Sequence, residues 1–451
     1  MVASNSKMTW GTKEGQLLCP KRLVESETKP GSEERTPYQR DYDRIIFSSA
    51  FRRLQGKAQV FPHSSATSDY VRTRLTHSLE AASVGRSLGT LIGEHIVKKY
   101  TLDLFPADIG TIVSAACLAH DIGNPPFGHQ GEKAFQNYFD KHQSPQLGLV
   151  EQQYQGDFLR FEGNAQGFRV LTRLVQNKYA GGMRLTSAIL ATFTKYPRGS
   201  YPPKNPPRYI GEKKHGFFEQ DRDTFESVAR NVGLIERERN AWCRHPLAFL
   251  VEAADDICYR IVDIEDAASL GLIELDEAFS LLKGFTDDEG IEKRFRESPK
   301  EKKRESIEYL RAKAIGALID HSAKRFIANE EQIVQGLFDE PLIEDERIKP
   351  FKEVLENKVL NSRIVAEIEA AGYQILDGLL HFFVPAVLDH VLHQDNPEPR
   401  SKALLKLVPE HFRHELRGNK YDHIIGITDF VSGMTDSFAV SLFRRISGIT
   451  I

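Results

Sequence analysis

Cysteine is scarce in this chain. Its 451 residues hold four, Cys19, Cys117, Cys243 and Cys258, scattered and without a CxxC pair. That pattern excludes a disulfide scaffold and a zinc ribbon and favours a reducing compartment. Long apolar runs are missing too. No uncharged stretch reaches the ~18 residues of a membrane span, and the first residues carry no apolar leader core. A soluble cytoplasmic protein is the expectation. Neither charge dominates: 60 Lys and Arg face 63 Asp and Glu, for a formal net charge of −3. Bulk attraction to nucleic acid is thereby excluded, while a local basic site for a small phosphate ligand is not. No GxxxxGK[ST] segment occurs, so a phosphate site here is not a P-loop. Strand-like alternation is also scarce.

What is present is an ordinary globular balance, 40% hydrophobic and 27% charged, in a chain long enough for roughly three domains or one large elaborated one. Helical periodicity dominates. Residues 73–99 set Leu75, Leu79, Ala82, Val84, Leu88, Leu91 and Ile92 at helical spacing. Residues 109–120 form a short apolar helix pattern, and 247–268 carry Leu250, Val251, Ala254, Cys258, Ile261 and Val262. Ser298, Pro299 and Glu301 read as an N-cap, first-turn proline and capping box. They open a helix through Ile307, Leu310, Ala314, Ala317 and Leu318. Residues 360–392 read as one or two more helices. Residues 57–61 are the candidate for a short hairpin. Residues 27–37, 140–157, 196–216 and 284–304 read as loops, the third because its prolines cannot sit inside a helix. The class expected is all-α.

Five groups of residues carry chemistry. His120 and Asp121 end the apolar helix before Gly123-Asn124-Pro125-Pro126. Alone, the pair reads first as a helix C-cap with a histidine favoured by the dipole. His77 shares a helix face with Ala81, Val84, Leu88 and Leu91, where an ionisable ring needs a partner. Alone, it reads first as a satisfied core histidine, which is commoner than a ligand. Asp255 lies on the face of Val251, Cys258, Tyr259 and Val262 and so points inward, at a cost that a cation would remove. Asp256 lies about 100° around the helix, a position that suits a solvated carboxylate. Two imidazoles and two carboxylates together suit a divalent ion with positions open to water. His129 and Glu132, three apart, begin a new helix and share a face, as an acid–base pair would. Arg72, Arg74, Asn164, Lys195, Tyr196, Lys213 and Lys214 could hold phosphate and sugar.

These segments resemble the HD-domain phosphohydrolases, with His77, His120-Asp121 and Asp255 matching the H…HD…D pattern. The finer resemblance is to the deoxyguanosine triphosphate triphosphohydrolase (dGTPase-like dNTPase) family. It is carried by RDYDRIIFSSAFRRLQGKAQVFP (40–62), VRTRLTHSLEAASVGRSLG (71–89) and AHDIGNPPFGHQGEKAF (119–135). FEGNAQGFRVLTRL (161–174), FTKYP (193–197), EAADDICYRIVDIEDA (252–267) and VSGMTDSFA (431–439) continue it along nearly the whole chain. The stretch from Phe61 to Asp69 is longer than in some members.

The resemblance implies an all-α HD fold with additional C-terminal helices. It implies an N-terminal, partly disordered segment (1–36), an HD catalytic core (37–270) and a helical C-terminal part (271–451) offering an oligomer or effector surface. It implies one divalent metal, Mn²⁺ or Mg²⁺ with Fe, Co, Ni and Zn also compatible, on His77, His120, Asp121 and Asp255. His129 and Glu132 match the catalytic pair. Gln59 and Asp263 would hold the sugar 3′-hydroxyl. Arg74, Asn164, Lys195, Tyr196, Lys214 and Tyr259 would line the triphosphate and sugar. The implied reaction turns dGTP and other dNTPs into deoxynucleoside and inorganic triphosphate. Members are homo-oligomers, often hexamers, and some respond to dNTPs or single-stranded DNA. Two alternatives stand beside this: another HD phosphohydrolase, such as a nucleotidase or phosphodiesterase, and a non-catalytic protein that binds nucleotides or nucleic acid.

Overall fold

The structure, a computed structural model, describes residues 7–24, 34–59, 72–142, 147–175, 181–202, 207–393, 396–413 and 418–449. The helices used below are α1 (Pro37–Ile46), α2 (Arg74–Tyr100), α3 (Pro106–Ala119), α4 (Gly128–Lys141), α5 (Gly163–Arg169) and α6 (Ser187–Phe193). They continue with α7 (Ala248–Ser269), α8 (Lys300–Val334), α9 (Arg363–Leu392), α10 (Lys420–Ser432) and α11 (Asp436–Ile446). Among the described residues the only strands, β1 (Glu236–Glu238) and β2 (Ala241–Trp242), form one short antiparallel pair. The fold is all-α, as the periodicity predicts.

An antiparallel pair of helices, α2 and α3, sets the centre. Thr73 and Thr76 close a reciprocal cap at the start of α2: each hydroxyl accepts from the other residue's backbone N–H, at 3.3 and 3.0 Å. The inward face of α2 is a glycine ridge, Gly85, Gly89 and Gly93, one turn apart. A Cβ at Gly89 would stand 2.8 Å from the Gly110 Cα, and one at Gly85 would stand 2.6 Å from the Cys117 Sγ. The two helices therefore meet nearly backbone to backbone. This ridge also corrects the sequence pattern, since Leu79 and Leu91 are 42% and 41% exposed rather than inward.

Two hydrophobic cores follow. The first runs from Met8, Trp10, Leu17 and Leu18 through α1, α2, α3, α6 and α7 to α8 and Val365. The second joins α4, α9, α10 and α11 through Phe135, Tyr138, Leu380, Phe383, Ile424 and Leu442. Helix α5 touches both, with Ala165 in the second and Phe168 in the first. Helix α9 is long and apolar enough, by length and composition, to cross a membrane. Here Leu376, Leu380, Val384 and Val387 are buried in the second core, against α4 and α10.

Several local expectations are corrected. Helix α8 starts at Lys300 with Pro299 as its cap and no side-chain capping bond, so the box from Ser298 to Glu301 does not form. Residues 284–304 contain the helix Ile291–Glu297, anchored by Phe295 stacked on Phe279 with ring centroids 4.0 Å apart. Residues 140–157 contain the start of the helix Gln152–Leu159, which buries Phe158. At the proposed hairpin there is one isolated bridge, Ala58 to Thr73; Val60 and Phe61 lie outside the described residues. Residues 27–33, 61–69 and 143–146 also lie outside them.

Candidate metal and phosphate site

The close approach of α2 and α3 brings His77, in the first turn of one, beside His120, at the C-cap of the other. Their ring centroids are 5.2 Å apart at 68°. Asp255, in the second turn of α7, completes a group whose donor atoms all lie within 4.8 Å of one another. His77 Nε2 is 3.1 Å from Asp255 Oδ1, and His120 Nε2 is 3.5 Å from that same oxygen. His120 Nδ1 donates to the Cys117 carbonyl at 2.7 Å, which leaves a lone pair on Nε2. That Nε2 is buried without a hydrogen-bond partner and faces Asp255 and Asp121 carboxylate oxygens, both 3.5 Å away. An imidazole lone pair converging with carboxylate oxygens is the donor set of a divalent cation.

Asp121 borders this group. One oxygen accepts from Arg74 Nη1 at 2.8 Å and the other from the Asn124 side-chain amide. Burial would raise its pKa, but Arg74, His120 and His77 outweigh that and hold it at about 2. Asp255 behaves alike: burial opposes ionisation, yet Lys195 at 2.9 Å and the two histidines keep it well below the usual range. Lys195 is correspondingly raised by Asp255 in spite of its own burial.

A cavity of about 500 Å³ opens beside these groups. Gln59, Arg74, Asp121, His129, Asp255 and Tyr259 line it. Gln59 Oε1 is buried without a partner. Burial and Asp263 push the Tyr259 phenol up to about 12. A further wall comes from α9, through Val365, Ile368 and Glu369, and from Asp436 at the start of α11. Sequence reasoning named none of these four. Only the run VSGMTDSFA pointed toward Asp436. The turn after His120 also borders the cavity, and there Phe127 takes a left-handed φ of 62°. Its ring lies against Gly372 of α9, where a Cβ would stand 2.5 Å from the Phe127 Cγ. Asp436 accepts from the backbone N–H of Phe127 at 3.1 Å and of Ala58 at 2.9 Å.

His129 follows in the first turn of α4. Burial lowers its pKa, and Lys214 and Arg74 lower it further, so the ring is neutral at neutral pH. Glu132 is turned to α5, accepting from the Gly163 N–H at 2.8 Å with Lys214 Nζ 3.7 Å away. Gly163 has to be glycine, because a Cβ there would stand 2.7 Å from the Glu132 Oε1. Glu162, unassigned from sequence, accepts from Lys214 at 2.7 Å and from Asn164 at 2.9 Å. Burial and the neighbouring Glu132 raise it to about 7. Glu132, Glu162, Asn164 and Lys214 thus form one cluster around the N-terminus of α5.

The remaining residues are placed differently. Asp263 is buried and is not among the described residues lining the cavity; burial pushes it up to about 8 against the pull of His77. Tyr196 lies beneath the Arg244 guanidinium, 5.5 Å from its ring centroid. Arg72 is committed to Glu80, Glu265 and Asp266 and Lys213 is exposed, so neither faces the cavity. Asp256, expected in solvent, borders the cavity and pairs with Arg260, and burial raises it to about 6.

The HD domain family matches residues 74–159, which span α2, α3 and α4. A deoxyguanosinetriphosphate triphosphohydrolase-like protein of Synechocystis is 43% identical over 449 residues, covering 97% of this chain and 99% of its own. One from Pseudomonas aeruginosa is 37% identical over 98% of this chain and 99% of its own. A deoxyguanosinetriphosphate triphosphohydrolase of Yersinia enterocolitica is 30% identical over 91% of this chain and 93% of its own. The chain belongs to the deoxyguanosinetriphosphate triphosphohydrolase-like family and is a phosphohydrolase of the HD type.

Proposed function

We propose that the chain hydrolyses deoxynucleoside triphosphates, dGTP among them, to deoxynucleoside and inorganic triphosphate. The observation that carries this reading is the charge pattern of the cavity. Asp121 and Asp255 are already paired with Arg74 and Lys195. A divalent ion on His77, His120 and Asp255, with Asp121 beside it, would therefore leave the metal end of the pocket net positive, with Asp256 paired to Arg260 and the carboxylates of Glu369 and Asp436 elsewhere on its lining. That excess suits a polyphosphate better than a single phosphate group. When bound, the ion would polarise a phosphoryl oxygen and acidify a water.

The protein's own groups divide the remaining work. Arg74 and Lys195 neutralise the phosphate charge that grows as the bond breaks. Water adds to the α-phosphorus, the bond from phosphorus to the 5′-oxygen breaks, and a proton reaches the departing 5′-oxygen. His129, held neutral, would take up and return that proton. Gln59 Oε1 is an acceptor open to a sugar hydroxyl. In this reading Glu132 and Lys214 orient α5 and the neighbourhood of His129, and Tyr259 forms the floor beneath the sugar. Lys195 with Tyr196, Asn164 and Asp263 complete the substrate's surroundings. The working form would be a cytoplasmic homo-oligomer. The metal would be Mn²⁺ or Mg²⁺.

Purified protein is incubated with each dNTP, alone and paired with dGTP, in Mg²⁺ and in Mn²⁺. Products are resolved by ion exchange. Deoxynucleoside and tripolyphosphate appearing together in equal amounts support the proposal. Orthophosphate or pyrophosphate as first product would replace it with another HD hydrolase reaction.

A further inference from the structure

On the far side of the turn from His120 to Asn124 lies a second cavity, of about 380 Å³. Three cationic or ionisable nitrogen groups border it: Arg53, Lys57 and His411. Arg53 ends a short helix, Ser49–Arg53, and is partly buried. Among the described residues no carboxylate pairs with it and no acceptor hydrogen-bonds to it; its one resolved influence is burial, which pulls its pKa below the usual value. Lys57 is 3% exposed and gives two of its three protons to the backbone carbonyls of Asn124 and Ser432. The third is left for another acceptor.

Asp436 and Asp121 act on Lys57, which burial nevertheless pulls down to about 7, but no carboxylate acts on Arg53. Asp429 borders the same cavity, but Arg169 and Gln166 already occupy both of its oxygens, at 2.8–2.9 Å. Gln166 is 2% exposed, and its Oε1 is buried with no partner. A guanidinium held partly out of water with no anion costs something, and a buried carbonyl with no donor costs more. Both costs are removed by one kind of guest: a molecule with an anionic head and a hydrogen-bond donor on its body.

We propose that this cavity binds a phosphate-bearing small molecule. Arg53 clamps the phosphate through its fork of N–H groups, Lys57 adds its third proton, and Gln166 Oε1 accepts from a donor on the body of the ligand. A guanidinium fork matches the spacing of phosphoryl oxygens. Ile122, Val170 and Phe412 supply an apolar wall for the rest of the molecule. The volume suits a small molecule rather than a strand of nucleic acid. The site is separate from the metal and phosphate cavity and does not depend on what reaction occurs there.

The test is binding of inorganic phosphate to full-length protein, by equilibrium dialysis and by thermal shift against chloride at matched ionic strength. Wild type, Arg53→Gln and Lys195→Ala are compared. In Lys195→Ala the site at Arg53 is expected to survive. In Arg53→Gln phosphate binding at this site weakens by about ten-fold or more, and its share of the thermal shift disappears. Without phosphate, Arg53→Gln is expected to be as stable as wild type or more so, because a partly buried, unpaired charge has been removed. Unchanged phosphate binding in Arg53→Gln would overturn the proposal. So would lower stability of that variant in phosphate-free buffer, which would make Arg53 a structural residue. A smaller oligomer in gel filtration for Arg53→Gln alone would overturn it too, by assigning the cations to a carboxylate of a second copy. Loss of hydrolysis with binding intact would bear on the reaction and leave this site standing.

Discussion

The carboxylate of Asp436 accepts a hydrogen bond from the backbone N–H of Phe127, 309 residues earlier in the chain. Its other oxygen takes the N–H of Ala58. One side chain therefore fixes two edges of the cavity: the residue before Gln59 and the left-handed turn that leads into His129. Asp436→Ala should leave both donors without this partner, at a cost of about 1–3 kcal/mol each where water cannot replace it. Turnover should fall by roughly 10–100-fold through misplacement of His129. Metal content, set by the donors on α2, α3 and α7, should not change. Asp436→Asn keeps one acceptor and should fall between the two. Loss of bound metal in Asp436→Ala would show that the side chain supports the donors themselves.

His120 carries the lone pair that no hydrogen bond satisfies. Replacing it with alanine should abolish tight metal binding and cut hydrolysis by roughly 1,000-fold or more, the several kcal/mol expected of a lost metal. Stripping wild type with a chelator should have the same effect, reversed by adding Mn²⁺. Metal analysis and product chromatography on the same samples would show whether the two losses coincide.

His129 sets an acid limb. Burial, with Lys214 and Arg74, disfavours the imidazolium, so the ring stays neutral to a pH below the ordinary histidine value of about 6.5. If the neutral ring is the working form, kcat/KM should fall on acidification with its midpoint below that value. Lys214→Gln removes one cation and leaves Glu132 and Glu162 less compensated. Both changes favour the imidazolium, and the midpoint should move to higher pH. A midpoint that stays in place or moves to lower pH would remove His129 from that role.

The glycine ridge can be tested by one methyl group. Gly89→Ala would push a Cβ to 2.8 Å from the Gly110 Cα. The helices must part, at about 1–3 kcal/mol of stability, and His77 and His120 part with them. Thermal unfolding should shift down and metal affinity should weaken together. An exposed control, Leu91→Ala, should move neither.

Some of this was legible from sequence and some was not, for physical reasons. Helices α2, α3 and α7 lie within a few residues of their periodic patterns, because each buries a long apolar stripe against a neighbour. Local periodicity weights glycine lightly, so the ridge at Gly85, Gly89 and Gly93 was invisible and Leu91 was placed inside. Charge density hid the helix Ile291–Glu297, whose two apolar anchors are enough once Phe279 covers one of them. His77, His120 and Asp255 could be grouped from type and spacing, since a buried ionisable group demands a partner. Asp436, Glu162 and the α9 wall could not, because each acts through backbone groups or surfaces far away in the chain.

Two cores have a consequence for how this protein would fail. The metal donors ride on helices of the first core, while His129 rides on a helix of the second and the wall helix α9 joins the two, with Val365 in the first and Leu376 in the second. Local opening of the second core would leave a species that still holds its ion and turns nothing over. In an ageing or partly denatured preparation, metal occupancy and specific activity should therefore part company. The ratio of the two, rather than either alone, would count the molecules whose halves are still docked.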